Sequence, residues 1–139
     1  MGGKDATISR FAPFLWISLG AILGANARYL VNRAAAQWLG TAFPYGTLIV
    51  NVAGCLIVGV VGTMVTGRLI DRPDVVRLVV IVGLLGSFTT FSSFAYETHS
   101  LFNDGAWARA VVNILLNVLA CLAGVRIGVM LTPSLGGIL

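Results

Sequence analysis

Gly83-Leu84-Leu85-Gly86-Ser87-Phe88-Thr89-Thr90-Phe91-Ser92-Ser93-Phe94-Ala95-Tyr96-Glu97 changes character part-way along. Up to Leu85 it continues an aliphatic run that starts near Val75; from Gly86 onward, small, hydroxylated and aromatic side chains take over. If the segment crosses a bilayer, the change falls at mid-membrane depth. Backbone that leaves a helix there must find partners for its carbonyls, and it is tolerated where it is buried in protein, lines water or coordinates an ion. A broken helix with an ion site is one reading. A continuous helix whose Ser and Thr hydroxyls bond back to the preceding turn is the other, and the stretch alone leaves both open.

The flanking sequence supplies the bilayer. The chain has 139 residues, 58% of them hydrophobic and only 10% charged, which is outside the balance of a soluble fold. Its 17 glycines and 3 tryptophans suit helices that approach closely and anchor at a lipid interface. The first charge-free run, Phe11 to Ala27, continues past Arg28 and Arg33 to Leu39, and Thr41-Ala42-Phe43-Pro44 then breaks the chain. A second, uncharged segment ends at the polar hinge Arg68-Leu69-Ile70-Asp71-Arg72-Pro73-Asp74, where Pro73 suits the first turn of a third. The last segment is interrupted by Asn113 and Asn117 and closed by Thr132-Pro133. The expectation is an all-α membrane protein with one transmembrane domain over 1–139. It has four transmembrane helices, about 11–39, 45–67, 75–102 and 107–131, with a break in helix 3. Lys4 and Arg10 before an apolar run, with Ala25-Asn26-Ala27 as a small-residue site, would also fit a signal peptide, but the helical pattern continues to Leu39 and reads as an uncleaved first helix.

An even number of spans puts both termini on one side. Lys4, Arg10, Arg68, Arg72, Arg77 and Arg126 then face Arg28, Arg33 and Arg109 across the membrane, a bias toward termini inside. The net charge of +4 is carried by scattered single residues rather than by a Lys/Arg cluster that could track phosphates, so no nucleic acid is expected. Cys55 and Cys121 lie in apolar runs, and neither a CxxC nor a Cys/His spacing marks a metal site. With a single histidine and no nucleophile-base pair, enzyme chemistry has little to stand on. The spans are too few and too interrupted to enclose a pore alone, so an oligomer is expected. Gly20-x-x-x-Gly24 and Gly124-x-x-x-Gly128 offer flat faces either for that contact or for internal packing.

Three blocks in register carry a resemblance. Gly86 with Thr89-Thr90-Phe91-Ser92-Ser93-Phe94 resembles the GGxTTFSTF signature of the Fluc (CrcB) fluoride channels. Gly46-Thr47-Leu48-Ile49-Val50-Asn51-Val52-Ala53-Gly54 is similar to that family's GTLxVNxxG, and Gly20 with Gly24-Ala25-Asn26-Ala27-Arg28-Tyr29 to its GGxxGAxxRY. Ser87 replaces the second glycine of the signature and Ser93 a threonine.

The resemblance implies a dual-topology, antiparallel homodimer in the bacterial plasma membrane, with two ion paths near the dimer interface. That stands against the single orientation favoured by the charge count. It implies fluoride as the ion, membrane lipid as the surroundings, and a structural Na+ at the dimer centre held by backbone carbonyls of Gly86 and Thr89. Phe91 and Phe94, three apart on one helical face, match the family's fluoride-facing phenylalanines, whose ring edges are positive. Asn51 matches its pore asparagine, with an amide able to donate to a bare anion. Thr47, Asn113 and Asn117 fall on its polar track, and Ser92 and Ser93 are assigned to the same path. Arg28 and Glu97 are its vestibule residues. Asn113, Asn117 and Cys121 repeat every four residues, so an asparagine ladder for helix packing fits equally well. Two rival functions are a small multidrug-resistance-type transporter, which needs an acid in its first span, and a non-transporting membrane assembly protein.

Overall fold

A computed structural model describes residues 2–67 and 69–132, with side chains from Phe11 onward. The side chains of Lys4 and Arg10, and all of Arg68 and Pro133, lie outside the described residues. The helices are α1 (Gly2–Leu39), α2 (Tyr45–Thr66), α3 (Pro73–Val76), a π-helix π1 (Arg77–Leu85), α4 (Gly86–Phe88), α5 (Phe91–Asn103) and α6 (Trp107–Leu131). Among the described residues, four segments are long and apolar enough to cross a membrane: Phe11–Leu39, Tyr45–Thr66, Pro73–Asn103 and Trp107–Leu131. The shortest of them reaches about 33 Å at the α-helical rise, enough for a hydrocarbon core of about 30 Å.

Local chemistry sets the ends. Gly40 (φ 81°) follows α1 and Gly105 (φ 73°) follows α5 in the left-handed conformation that closes helices without a Cβ clash. Pro44 precedes α2 and Pro73 opens α3.

The bundle is two tight pairs, α1 along π1 and α2 along α6, joined where α1 meets α2 and where α5 meets α6. Each pair closes on glycine. A methyl at Gly20 would strike the Val79 carbonyl, one at Gly24 the Leu84 carbonyl, and one at Gly83 would lie 2.5 Å from the Ile17 oxygen. Across the other pair, a methyl at Gly124 would lie 3.2 Å from the Val52 oxygen, and one at Gly128 would meet the Leu56 carbonyl. Both small-residue motifs are therefore spent inside the chain rather than on a neighbour. Contacts between α2 and α6 advance together, from Asn51 with Asn117 to Val60 with Thr132, so these two helices run parallel.

Among the described residues few apolar side chains are buried: Ala35, Val50, Leu85, Phe88, Phe94 and Ala110. Leucines and aromatics such as Phe14, Leu23, Leu119 and Trp38 point outward, as suits a fold whose solvent is lipid and whose contacts depend on small residues and hydrogen bonds.

Candidate functional site

The third span does break. Thr89 (φ −81°, ψ 158°) and Thr90 (φ −154°, ψ 112°) are extended between α4 and α5, which rules against the continuous helix. Back-bonding hydroxyls are present all the same: Thr89 Oγ1 donates to the Leu85 carbonyl at 2.9 Å and Ser87 Oγ to that of Gly83 at 2.7 Å. Ser87 also reaches the Ala21 carbonyl on α1 at 3.0 Å, so the residue that departs from the family signature pins the near side of the break to the first span. On the far side Thr90 caps α5, its Oγ1 accepting from the Ser93 amide at 3.2 Å and donating to Ser93 Oγ at 3.0 Å. Gly54 on α2 leaves the space that the Thr89 methyl fills.

Asn51 supplies what the break takes away. Its Oδ1 accepts from the Thr90 amide at 2.9 Å and its Nδ2 donates to the Thr90 carbonyl at 3.3 Å, so one side-chain amide pairs with both backbone polar groups of Thr90. Unpaired backbone in hydrocarbon would cost several kcal/mol, on the order expected for any lone peptide group there. The same Nδ2 donates to Asn117 Oδ1 at 3.0 Å. Asn117 Nδ2 then donates to Asn113 Oδ1 at 2.9 Å, Asn113 Nδ2 to Thr98 Oγ1 at 2.9 Å, and the Thr98 hydroxyl to the Phe94 carbonyl at 2.7 Å. A directed chain of donors thus runs from the break along α6 and back into α5. Both hydrogens of Asn51 and both of Asn117 are engaged by protein oxygens. An anion at either residue would have to replace one of them.

Phe91 and Phe94 stand beside this chain with ring centroids 5.3 Å apart and planes tilted by 55°. They do not share an environment, however: Phe94 is 8% exposed and Phe91 78%, because α5 turns the first ring out of the single chain. Both line a cleft of about 520 Å³ together with Asn51, Asn117, Gly86 and Thr89. Six of the sequence-predicted residues are thus brought together.

The others are not. Thr47 and Glu97 line a separate cavity of about 480 Å³ near the α1–α2 loop, where Thr47 Oγ1 donates to Glu97 Oε1 at 2.8 Å and Glu97 Oε2 is buried without a partner. Glu97 lies within α5, which continues to Asn103 before Gly105 stops it. His99 is exposed and pairs with Asn103 at 3.1 Å. Asn113 is wholly buried and lines neither cavity, Ser92 and Ser93 contact Thr90 at the cap, and half-buried Arg28 lines neither cavity.

The family model described as CrcB-like protein, Camphor Resistance (CrcB), matches residues 15–129. The chain belongs to the CrcB family. Its CrcB relatives include proteins named fluoride-specific ion channel FluC. That of Chloroflexus aurantiacus is 48% identical over 123 residues, 88% of this chain and 97% of the relative. That of Magnetococcus marinus is 44% identical over 113 residues, 81% and 91%, and that of a Roseiflexus species 46% over 112 residues, 81% and 90%. Within this CrcB chain the residues that sequence reasoning missed are Thr90, the hub of the break, and Thr98, the buried partner of Asn113. Thr90 could have been found as a capping residue three before Ser93, and Thr98 as a hydroxyl one turn after Phe94.

Proposed function

We propose that this chain is a fluoride-selective channel of the bacterial plasma membrane, a multi-pass protein that passes the anion passively and lowers its level in the cytoplasm. Neutral HF enters cells and dissociates inside, so a leak selective for the anion lets the membrane potential drive it out. The observation that carries the reading is Asn51, which ties the broken backbone to the Asn117 ladder within the cleft that holds both phenylalanines. The relatives' name supports it. Selectivity would come from replacing water around the ion with amide and hydroxyl donors and with the positive edges of Phe91 and Phe94. Thr47, Ser92, Ser93, Asn113 and Asn117 extend the path, and Arg28 and Glu97 serve its mouths.

The pathway is completed by an antiparallel second copy of the chain, which would cover the exposed Phe91 ring. A structural Na+ fits the same junction. Gly86 is exposed on the cleft, where a Cβ would touch the Ile81 carbonyl oxygen at 3.8 Å without a clash, and the extended Thr89 ends α4, a terminus that frees backbone carbonyls. Among the described residues no group of three or more His, Cys, Asp or Glu side chains offers an alternative metal site. Carbonyls of Gly86 and Thr89 would hold the ion, whose charge would raise the local positive potential near the anion path.

A small multidrug-resistance-type transporter is disfavoured by the lack of any acid between Arg10 and Gly67, and a pure assembly role leaves the cleft chemistry unused. Liposomes carrying the purified chain and loaded with fluoride or chloride separate the three. Fluoride should leave rapidly and chloride should stay; equal leak of both, or no fluoride leak, overturns the channel.

A further inference from the structure

The Asn51–Asn117 bond is one rung of a longer ladder. It joins positions 66 apart, and Gly59 meets Val125 at the same spacing two turns further along the parallel α2–α6 pair. The rung between them, one turn beyond the asparagines on both helices, is Cys55 and Cys121. Both thiols line the same cleft at that level. A methyl at Gly124, one turn past Cys121, would lie 3.6 Å from Cys55 Cβ, which shows how closely the helices cross at this level. Both cysteines are free, half-buried and open to the 520 Å³ cleft, whose wall at this level includes Val58, Val118 and Leu122.

Two thiols on one rung of a helix pair, in apolar surroundings, define a narrow range of ligands. No group of three or more His, Cys, Asp or Glu occurs among the described residues, so third and fourth donors of the kind a tetrahedral Zn2+ site takes are lacking. Soft thiolates select soft metals. A monovalent soft ion between two thiolates leaves a buried negative charge, which low-dielectric surroundings penalise. A divalent ion content with two ligands in line gives a neutral complex. Mercuric ion meets all of these conditions.

We propose that Cys55 and Cys121 form a two-coordinate thiolate site for mercuric ion, reached by neutral mercuric chloride from the cleft or the lipid. The exchange is not a redox step. Two S–H and two Hg–Cl bonds break, two S–Hg bonds form, and two protons and two chloride ions leave. Bound there, the metal lies one helical turn from the Asn51–Asn117 rung and in the same cleft as Phe91 and Phe94, so it obstructs that cleft. The obstruction rests on the proposed channel function; the binding does not.

The test titrates the purified full-length chain with mercuric chloride. One equivalent per chain should bind, a sulfur-to-mercury charge-transfer absorption should rise to a plateau at that point, and both thiols should be lost to maleimide together. Cys55→Ala and Cys121→Ala should each hold the metal at least tenfold more weakly against glutathione. Two equivalents per native chain, or retention by either variant equal to the native chain, overturns the site. In fluoride-loaded liposomes, one equivalent should slow efflux severalfold in the native chain and not in the double alanine variant, with recovery on adding a dithiol. Unchanged efflux with the metal bound overturns the obstruction. A failure of the channel reading itself would show in the liposomes before any mercury is added.

Discussion

The two halves of the third span are held by opposite means. The first half, π1, is pressed against α1 backbone to backbone through Gly20, Gly24 and Gly83, with the Ser87 hydroxyl as its side-chain link to that helix. The second half, α5, is fastened to α2 and α6 by side-chain amides and hydroxyls: Asn51, Asn113, Asn117, Thr90 and Thr98. Where polar bonds are absent, close approach of small residues is what holds helices together in lipid; where backbone is exposed, polar side chains must replace the lost helix bonds. The break is the boundary between the two regimes, and the cleft with the phenylalanines opens there.

Substitutions on either side sharpen this contrast. The largest effect is expected for Gly24→Leu, whose side chain would collide with the Leu84 carbonyl and with Ser87 Oγ. The loss should reach or exceed the upper end of the usual overpacking range of about 1–3 kcal/mol, seen as a collapse of the monodisperse fraction in mild detergent. A chain as stable as the native one would show that α1 and π1 do not need their close approach.

Next is Asn51→Ala, which leaves the N–H and C=O of Thr90 without their side-chain partner. A cost of about 1–3 kcal/mol is expected from thermal unfolding in detergent, together with loss of fluoride efflux. Asn51→Asp separates the two roles. It keeps an acceptor for the Thr90 amide but removes the donors and adds a negative group beside an anion path, so efflux should fall further than stability.

Ser87→Ala removes one interhelical hydrogen bond and should cost only about 0.6 kcal/mol, the average for such bonds in membranes. A much larger loss would mean that the near side of the break depends on polar anchoring as the far side does. The smallest effect on the fold of one chain is expected from Phe91→Ile, which keeps apolar bulk at a ring exposed in the single chain and should alter that fold's stability by no more than about 0.5 kcal/mol while slowing fluoride efflux. Efflux at the native rate in both Phe91→Ile and Phe94→Ile would count against the aromatic pair as part of the path.

Much of this was legible in the residues. Uninterrupted apolar runs announce membrane spans because the hydrocarbon thickness sets their length locally, and the shift at Gly86 announces trouble for a regular helix because hydroxyls and glycine accumulate where aliphatics had been. The asparagine repeat revealed a shared face of α6, since a period of four is a property of one helix. What it could not reveal is the partner of that face.

The amino-acid sequence by itself determined four spans, a disturbed third one and the family, all of which follow from run length, composition and local motif. Only the tertiary structure decided that Asn51 mends the Thr90 backbone, 39 residues away, that the glycine motifs pack inward, that Phe91 faces out while Phe94 is buried, and that Cys55 and Cys121 line one cleft. The physical reason is the same in each case. Helical periodicity assigns a residue to a face, but what that face touches depends on the offset and direction of a helix distant in sequence.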